Sequence, residues 1–330
     1  MNPPFLSIII PVYNGETTIV RCLESIWSQG MPLDSYEVIC VNDCSTDNTV
    51  SVIEEQQKEH ANLRLYSNDE NLRAGGSRNR GVREAKGEYI LFIDADDYFH
   101  PGAVKKMMEY QMLHKLDILM YDFARENEEE PSNKLVHCFR DTSIMSGRQF
   151  FVVNSLPYAP WKFMFKKSLM VDNNIFFEER VSCEDVDWCH RMAFVAGTMK
   201  YEPVLLTHYV LSKESQTSVE YKNPATVFHR LFCGSRVYRL MDICDSEEAK
   251  TRMREVARET LQNGVLFLNA LATSPNEKAR ALHQYVPLDK SWTGVLGFAA
   301  RYPFVYAWLS TMAAPLFRFL VITKRKLLGR

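Results

Sequence analysis

The chain has 330 residues, 46% of them hydrophobic and 24% charged, with a formal net charge of −2. That is ordinary globular composition, long enough for one large domain or two, and with no basic field it argues against a nucleic-acid partner. The eight cysteines form no C-x-x-C pair and several lie inside apolar runs, which favours reduced, buried thiols in a cytoplasmic protein over a disulfide frame or a zinc site.

No basic n-region precedes the first apolar run, so Phe5 to Val12 reads as a strand and not a signal peptide. Tyr13-Asn14-Gly15 is the loop after it. Ile19, Leu23, Ile26 and Trp27 have helical spacing within Glu16 to Gln29, with Thr17 and Thr18 as candidate N-caps. Tyr36 to Asn42 is a second strand, followed by the polar turn Asp43 to Asp47 and a helix over Thr49 to His60. Leu63 to Ser67 is a third, short strand. A polar loop from Asn68 to Gly76 leads to a helix over Ser77 to Ala85, and Gly87 stops it. Then comes Tyr89-Ile90-Leu91-Phe92-Ile93, a buried strand that runs into Asp94-Ala95-Asp96-Asp97.

The order β-α-β-α-β-α-β predicts a mostly parallel sheet with right-handed crossovers. Three polar strand ends, Tyr13-Asn14, Asp43 and Asp94-Ala95-Asp96, then share the edge where ligands bind in open α/β sheets. Clustered carboxylates are hard oxygen ligands for Mg²⁺ or Mn²⁺, which commonly hold phosphates as well. An acidic turn after a strand is the plainer alternative. No G-x-G-x-x-G follows the first strand and no P-loop is present, so a nucleotide would be held by metal and side chains.

Ser7-Ile8-Ile9-Ile10-Pro11-Val12-Tyr13-Asn14, Val41-Asn42-Asp43-Cys44-Ser45-Thr46-Asp47, Asn71-Leu72 with Ser77-Arg78-Asn79-Arg80-Gly81, and Asp94-Ala95-Asp96-Asp97 occur in this order through the first third of the chain. In that order and spacing they resemble the family 2 glycosyltransferases with the GT-A fold. The resemblance implies an inverting enzyme that uses a nucleotide-activated sugar, usually a uridine diphosphate sugar. It implies that Pro11, Val12, Tyr13 and Asn14 line the base and ribose pocket and that Asp43 accepts from the uracil imide. It also implies that Arg78 approaches the nucleotide, that Asp94 and Ala95 lie at the ribose, and that Asp96 holds the metal. Each residue has a plainer reading: Tyr13 as a half-buried packing aromatic, Asp43 as an N-cap, Arg78 as a surface helix residue paired with Glu84 or with solvent.

Pro101 to Leu113 reads as a helix and Asp117 to Phe123 as a strand. Arg125 to Lys134 reads as an exposed acidic loop, and Arg148 to Asn154 as a short helix. Trp161 beside Lys162 reads either as a sugar-stacking aromatic with a phosphate contact or as a core Trp with a solvated Lys. The resemblance favours an acceptor role. Asn173 to Phe177 looks like a turn into a short strand. Glu184-Asp185 and Asp187 precede a helix over Trp188 to Ala196, where acidic residues also suit a helix N-terminus. An inverting transfer needs a carboxylate base. The resemblance makes Glu184-Asp185 the family's acidic pair, with Glu184 at the acceptor and Asp185 the base; Asp187 is the chemically equal competitor. His208, in a strand over Lys200 to Tyr209, reads as an additional metal ligand or as a packed core histidine. Ser212 to Ser218 is a polar loop able to cover a site.

Phe228 to Leu240 and Glu247 to Leu271 are helical. Trp292 to Arg330 is rich in aromatics and ends Lys324-Arg325-Lys326-Leu327-Leu328-Gly329-Arg330. Its charge-free part is short of the roughly 20 residues of a spanning helix. An interfacial helix on an anionic membrane, a buried terminal helix and a dimer face all fit.

The sequence thus predicts a GT-A-like α/β catalytic domain over 1–220, with a nucleotide-sugar half over 1–100 and an acceptor half over 101–220. A helical region over 221–330 follows, associated with the inner face of the plasma membrane. The expected activity is divalent-metal-dependent transfer of a sugar to a glycan or lipid-linked acceptor in surface polysaccharide synthesis. The rivals are a sugar nucleotidyltransferase and a non-catalytic sugar-nucleotide-binding subunit of the same fold. The first would carry a Gly-rich phosphate loop after the first strand; the second need not keep both Asp96 and Asp185.

Overall fold

The computed structural model describes residues 3–127, 135–136, 139, 141–154, 156, 158–211, 224–244, 246–271 and 273–312. The chain divides into two units. One is Met1–Arg180 with Trp188–Ser212; the other is Val181–Asp187 with Lys213–Arg330.

In the first unit the strands are β1 (Leu6–Val12), β2 (Tyr36–Asn42), β3 (Leu63–Ser67), β4 (Tyr89–Phe92) and β5 (Tyr98–Phe99), then β6 (Ile118–Asn127), β7 (Leu135–Val136), β8 (Phe163–Lys166) and β9 (Met199–Leu211). They form one sheet in the order β3-β2-β1-β4-β8-β6-β9-β5, with β7 on β6. β1 and β2 are buried at every residue, as strands covered on both faces must be. The expected parallel pairing holds across β3-β2-β1-β4. Beyond β4 the sheet is mixed: β8 runs antiparallel to both β4 and β6, while β9 is parallel to β6.

The crossover helices are α1 (Ile19–Trp27), α2 (Thr49–Glu59) and α3 (Arg73–Glu84). α1 buries Ile19, Cys22, Leu23 and Ile26, the i, i+3, i+4, i+7 face of a helix. Thr18 stands at its N-cap but makes no side-chain cap bond; its hydroxyl turns back to the Gly15 carbonyl instead. α3 begins four residues before the expected Ser77. Gly75 and Gly76 are buried helix residues rather than loop residues. Further along, a Cβ on Gly81 would lie 2.3 Å from Ile9 Cγ2, so the missing side chain is what lets α3 approach β1.

α4 (Ala103–His114), α5 (Gly147–Val153), α6 (Lys167–Asp172) and α7 (Glu184–Val195) follow. α5 opens with a reciprocal capping box between Ser146 and Gln149. Three sequence expectations change. Arg125, Glu126 and Asn127 extend β6 instead of starting a loop, because Glu126 turns inward to bond Tyr98 and His208; 128–134 lie outside the described residues. Asn174 makes a turn at φ 52°, but no strand follows, since Phe177 leaves the chain to stack on Trp188. α7 starts at Glu184, so the acidic residues are its first turn. The Ser212–Ser218 loop lies outside the described residues.

The second unit is helical: α8 (Pro224–Arg239), α9 (Glu247–Ala270), α10 (Pro275–Tyr285), α11 (Gly294–Arg301) and α12 (Pro303–Met312). Its own core gathers Leu231, Leu261, Val265, Leu282, Trp292 and Leu296. α8 and α9 cross closely at Gly264, where a Cβ would meet Leu231 Cδ2 at 2.7 Å. Among the described residues no helix is long and apolar enough to cross a membrane.

Candidate active site

The loops after β1 and β2 are laced together at the carboxyl edge of the sheet. Asn14, at φ 52°, donates its backbone N–H to Ser45 Oγ at 2.9 Å, while its side-chain oxygen accepts from the Thr46 N–H at 2.8 Å. Glu16 N–H donates to Asp47, and Glu16 Oε2 accepts from Asn48. Pro11 and Val12 are buried in β1, and Tyr13 stands out at the mouth with half its surface exposed. Half-exposed, Tyr13 fits a half-buried packing aromatic as well as a pocket wall, and Asn14 spends its side chain shaping the edge.

Asp43 is buried, and its Oδ1 accepts from Asn68 Nδ2 and from the Leu72 N–H, both at 2.8 Å. Among the described residues its Oδ2 makes no hydrogen bond. Asp43 does not cap α2; Asn48 stands at the N-cap without a side-chain cap bond, and Asp47, one residue before it, accepts from the Thr49 N–H and hydroxyl. Asn68 and Asn71 both hold Asp43, the latter through its carbonyl. Asn71 belongs to the Asn71-Leu72 motif, whereas Asn68 does not stand out in the sequence from the polar loop around it.

Arg78 is buried, with Nη2 2.7 Å from Asp94 Oδ1 and the guanidinium against the faces of Phe92 and Phe177. The pairing with Glu84 does not occur; Glu84 is an acceptor for Arg64. Neighbouring Asn79 clamps Phe177 through both its backbone groups. After Asp94 the chain turns. Arg21 Nη2 donates to the Asp96 carbonyl at 2.6 Å, and the half-exposed Asp96 follows Ala95 at the rim. Asp97 is fully buried and accepts from the Val210 N–H at 2.9 Å. Burial, and then the charges of Asp94 and Asp96, push its carboxyl well above the usual range.

Among the described residues no group of three or more His, Cys, Asp or Glu is arranged to enclose a metal ion. The donor set still suits Mg²⁺ or Mn²⁺. Asp96 and Asp94 offer hard carboxylate oxygens, and such ions commonly take one or two carboxylates and fill the rest of the shell with water and phosphate. His208 is differently employed. Its Nδ1 lies 2.5 Å from Glu126 Oε1 and its Nε2 3.1 Å from His100 Nδ1, and its ring stacks on Tyr98. With both nitrogens engaged, His208 ties β5 to β6 and β9.

Trp161 is buried, stacked on Tyr209 and edge-on to Phe123. Lys162 is buried too, and is not the solvated lysine of the plainer reading. Its ammonium sits 3.9 Å from the centre of the Phe123 ring.

The acidic turn belongs to the second unit. Glu184 is buried and Asp185 half-exposed, with Asp185 Oδ1 accepting from the Val186 N–H at 2.9 Å. Asp187 is buried and 3.3 Å from Arg236 Nε of α8. His229 Nδ1 accepts from the Ser182 N–H at 3.1 Å. Arg236 and His229 carry no local sequence signal, because what they hold lies about 50 residues away.

Three comparisons bear on this arrangement. Over 182 residues the chain is 32% identical to the poly(ribitol-phosphate) beta-glucosyltransferase of Bacillus spizizenii, which covers 54% of this chain and only 28% of that protein. It is 29% identical over 217 residues to the glycosyltransferase YibD of Escherichia coli, 64% of this chain and 62% of the other. The crystal structure of Staphylococcus aureus TarS 1–349 with UDP-GlcNAc superposes at a TM-score of 0.69 and 20% identity, covering 98% of this chain and 92% of that one. The fold is thus GT-A-like. The family model for glycosyl transferase family 2 matches residues 7–178, more than half of the chain and all four donor-edge motifs, and the chain belongs to that family.

Proposed function

We propose that the protein is an inverting glycosyltransferase. It moves a sugar from a nucleoside diphosphate donor, a UDP-sugar, to a hydroxyl of a glycan or lipid-linked acceptor in surface polysaccharide synthesis, from the cytoplasmic side of the membrane. The observation that carries this reading is that Asp43 follows β2 and Asp94 and Asp96 follow β4 at one edge of the sheet, with Asp43 and Asp94 each held through Oδ1 by neighbours. The UDP-GlcNAc bound by TarS and the poly(ribitol-phosphate) acceptor named for the Bacillus relative support the donor and acceptor classes.

In this reading Asp43 accepts from the base, and Tyr13 packs on it at the mouth. Pro11, Val12 and Asn14 shape the pocket wall. Arg78 acts through Asp94, fixing the carboxylate that meets the ribose beside Ala95. Asp96 would hold the divalent ion, which supplies positive charge to the diphosphate as it leaves. Mn²⁺ in the mannosyltransferase of Pyrobaculum calidifontis, a GT-A relative in fold, is in keeping with that role. Asp185 takes the acceptor hydroxyl's proton. The acceptor oxygen bonds to the anomeric carbon as the bond to the diphosphate breaks, and displacement from the opposite face inverts the centre. Asp185 is favoured over Asp187 because it is accessible, whereas Asp187 is buried and paired with Arg236. Glu184, Trp161 and Lys162 contribute to the acceptor side.

The test is release of UDP from a panel of UDP-sugars. Asp185→Asn is expected to lower kcat by about 10²–10⁴-fold with donor KM little changed. Full activity in Asp185→Asn together with its loss in Asp187→Asn would move the base to Asp187.

A further inference from the structure

α12 packs on α10 and α11 and buries Tyr306, Ala307 and Ser310. Its other face is apolar and open: Phe304 is 63% exposed, Val305 51%, Trp308 57% and Leu309 46%. These positions, i, i+1, i+4 and i+5, form one stripe along the helix. Val295, Phe298 and Tyr302 of the preceding helix and its end are exposed as well. Single exposed apolar residues need no explanation, but a contiguous aromatic stripe does.

The charge pattern says what would meet it. From residue 291 to 330 the charged side chains are Arg301, Arg318, Lys324, Arg325, Lys326 and Arg330, and no Asp or Glu occurs. The sequence after α12 repeats the pairing of apolar and basic character, with Phe317 and Phe319-Leu320-Val321-Ile322 ahead of Lys324-Arg325-Lys326. Trp and Tyr with Lys and Arg are the residues that settle at the boundary between headgroups and acyl chains. Cations and apolar side chains in one stretch of sequence give the two signals that hold a protein on an anionic bilayer; Arg301, the one of these cations among the described residues, donates to the Lys290 and Trp292 carbonyls. A second copy on the same face would fit less well, since a two-fold contact brings equal charges together.

We infer that the outer face of α11 and α12 is a docking surface for an anionic lipid bilayer, with Phe304, Val305, Trp308 and Leu309 entering the interface. The attachment is peripheral and independent of catalysis, and its readout needs no sugar transfer.

Trp308 reports on this directly. Trp161, Trp188 and Trp292 are buried and Trp27 is half-buried, so Trp308 is the one exposed tryptophan. The full chain is mixed with vesicles of phosphatidylcholine alone or with phosphatidylglycerol, and flotation is measured beside quenching by brominated lipid. Binding is expected on the anionic vesicles, weakened by salt, with the tryptophan emission quenched. Phe304→Ser with Leu309→Ser should weaken binding by about tenfold or more while melting as the wild type does. Trp308→Phe should bind yet lose the quenching. No binding to anionic vesicles, or binding that ignores the serine variants, would overturn the inference. So would self-association without vesicle binding that those variants abolish, which would assign the face to a second copy.

Discussion

Asp94, Asp96 and Asp97 lie within four residues and meet three different surroundings. Asp94 faces the Arg78 guanidinium, Asp96 stands half-exposed at the rim, and Asp97 is sealed in the sheet with its carboxyl pushed up by burial. A low-dielectric interior disfavours the charged form unless a counter-charge or hydrogen bonds favour it. Glu37 shows the opposite balance. Burial works to raise its pKa, but the Lys86 N–H, Ser7 hydroxyl and Arg64 guanidinium outweigh burial and hold it below the usual carboxylate range. A depressed carboxylate contributes stability above its unfolded pKa and loses it as pH falls through the folded one. Glu37→Gln should therefore cost about 1–3 kcal/mol at neutral pH and flatten the acid limb of stability, read by urea unfolding at a series of pH values. An unchanged acid limb would remove Glu37 from this role. The carboxylates were legible in the sequence as types. Which are paired was not, because Arg78 and Asp94 meet only when α3 packs across the sheet on β1 and β2.

At the scale of elements, β1, β2 and β4 could be read from apolar runs closed by polar turns, since each is a buried strand of the parallel half; β3, at the edge of the sheet and mostly half-buried, is the short strand between two polar turns. The start of α3 could not, because Gly75-Gly76 reads locally as a loop, whereas both are buried in a helix that makes close contact with β1 further along. Gly81→Ala tests that contact. A methyl directed at Ile9 should overpack the interface and cost about 1–3 kcal/mol, measured as a lower urea midpoint. The N-terminus of α7 depends on α8 in the same non-local way. Arg236→Met leaves Asp187 buried without its ion pair, and removing one member of such a pair costs more than the pair contributes. The expected result is a fall in kcat with UDP affinity unchanged and partial rescue by Arg236→Lys. Equal loss of both would mean general unfolding and not misplacement of the acidic turn.

At the scale of the whole molecule, the first unit has its own sheet and the second its own helical core. The sequence announced the donor half because its motifs are local and close to strand ends. The helical half carries no comparable motif, and its hold on Val181–Asp187 emerges only from the fold. The edge formed by Asp43, Asp94 and Asp96 is proposed above as a metal-assisted UDP site. The most direct measurement is calorimetry of UDP binding with Mn²⁺ and with chelator, on the wild type and on Asp96→Asn. Binding should need the metal and weaken by about tenfold or more in Asp96→Asn. No UDP binding in either condition, or equal metal-dependent binding by Asp96→Asn, would contradict it.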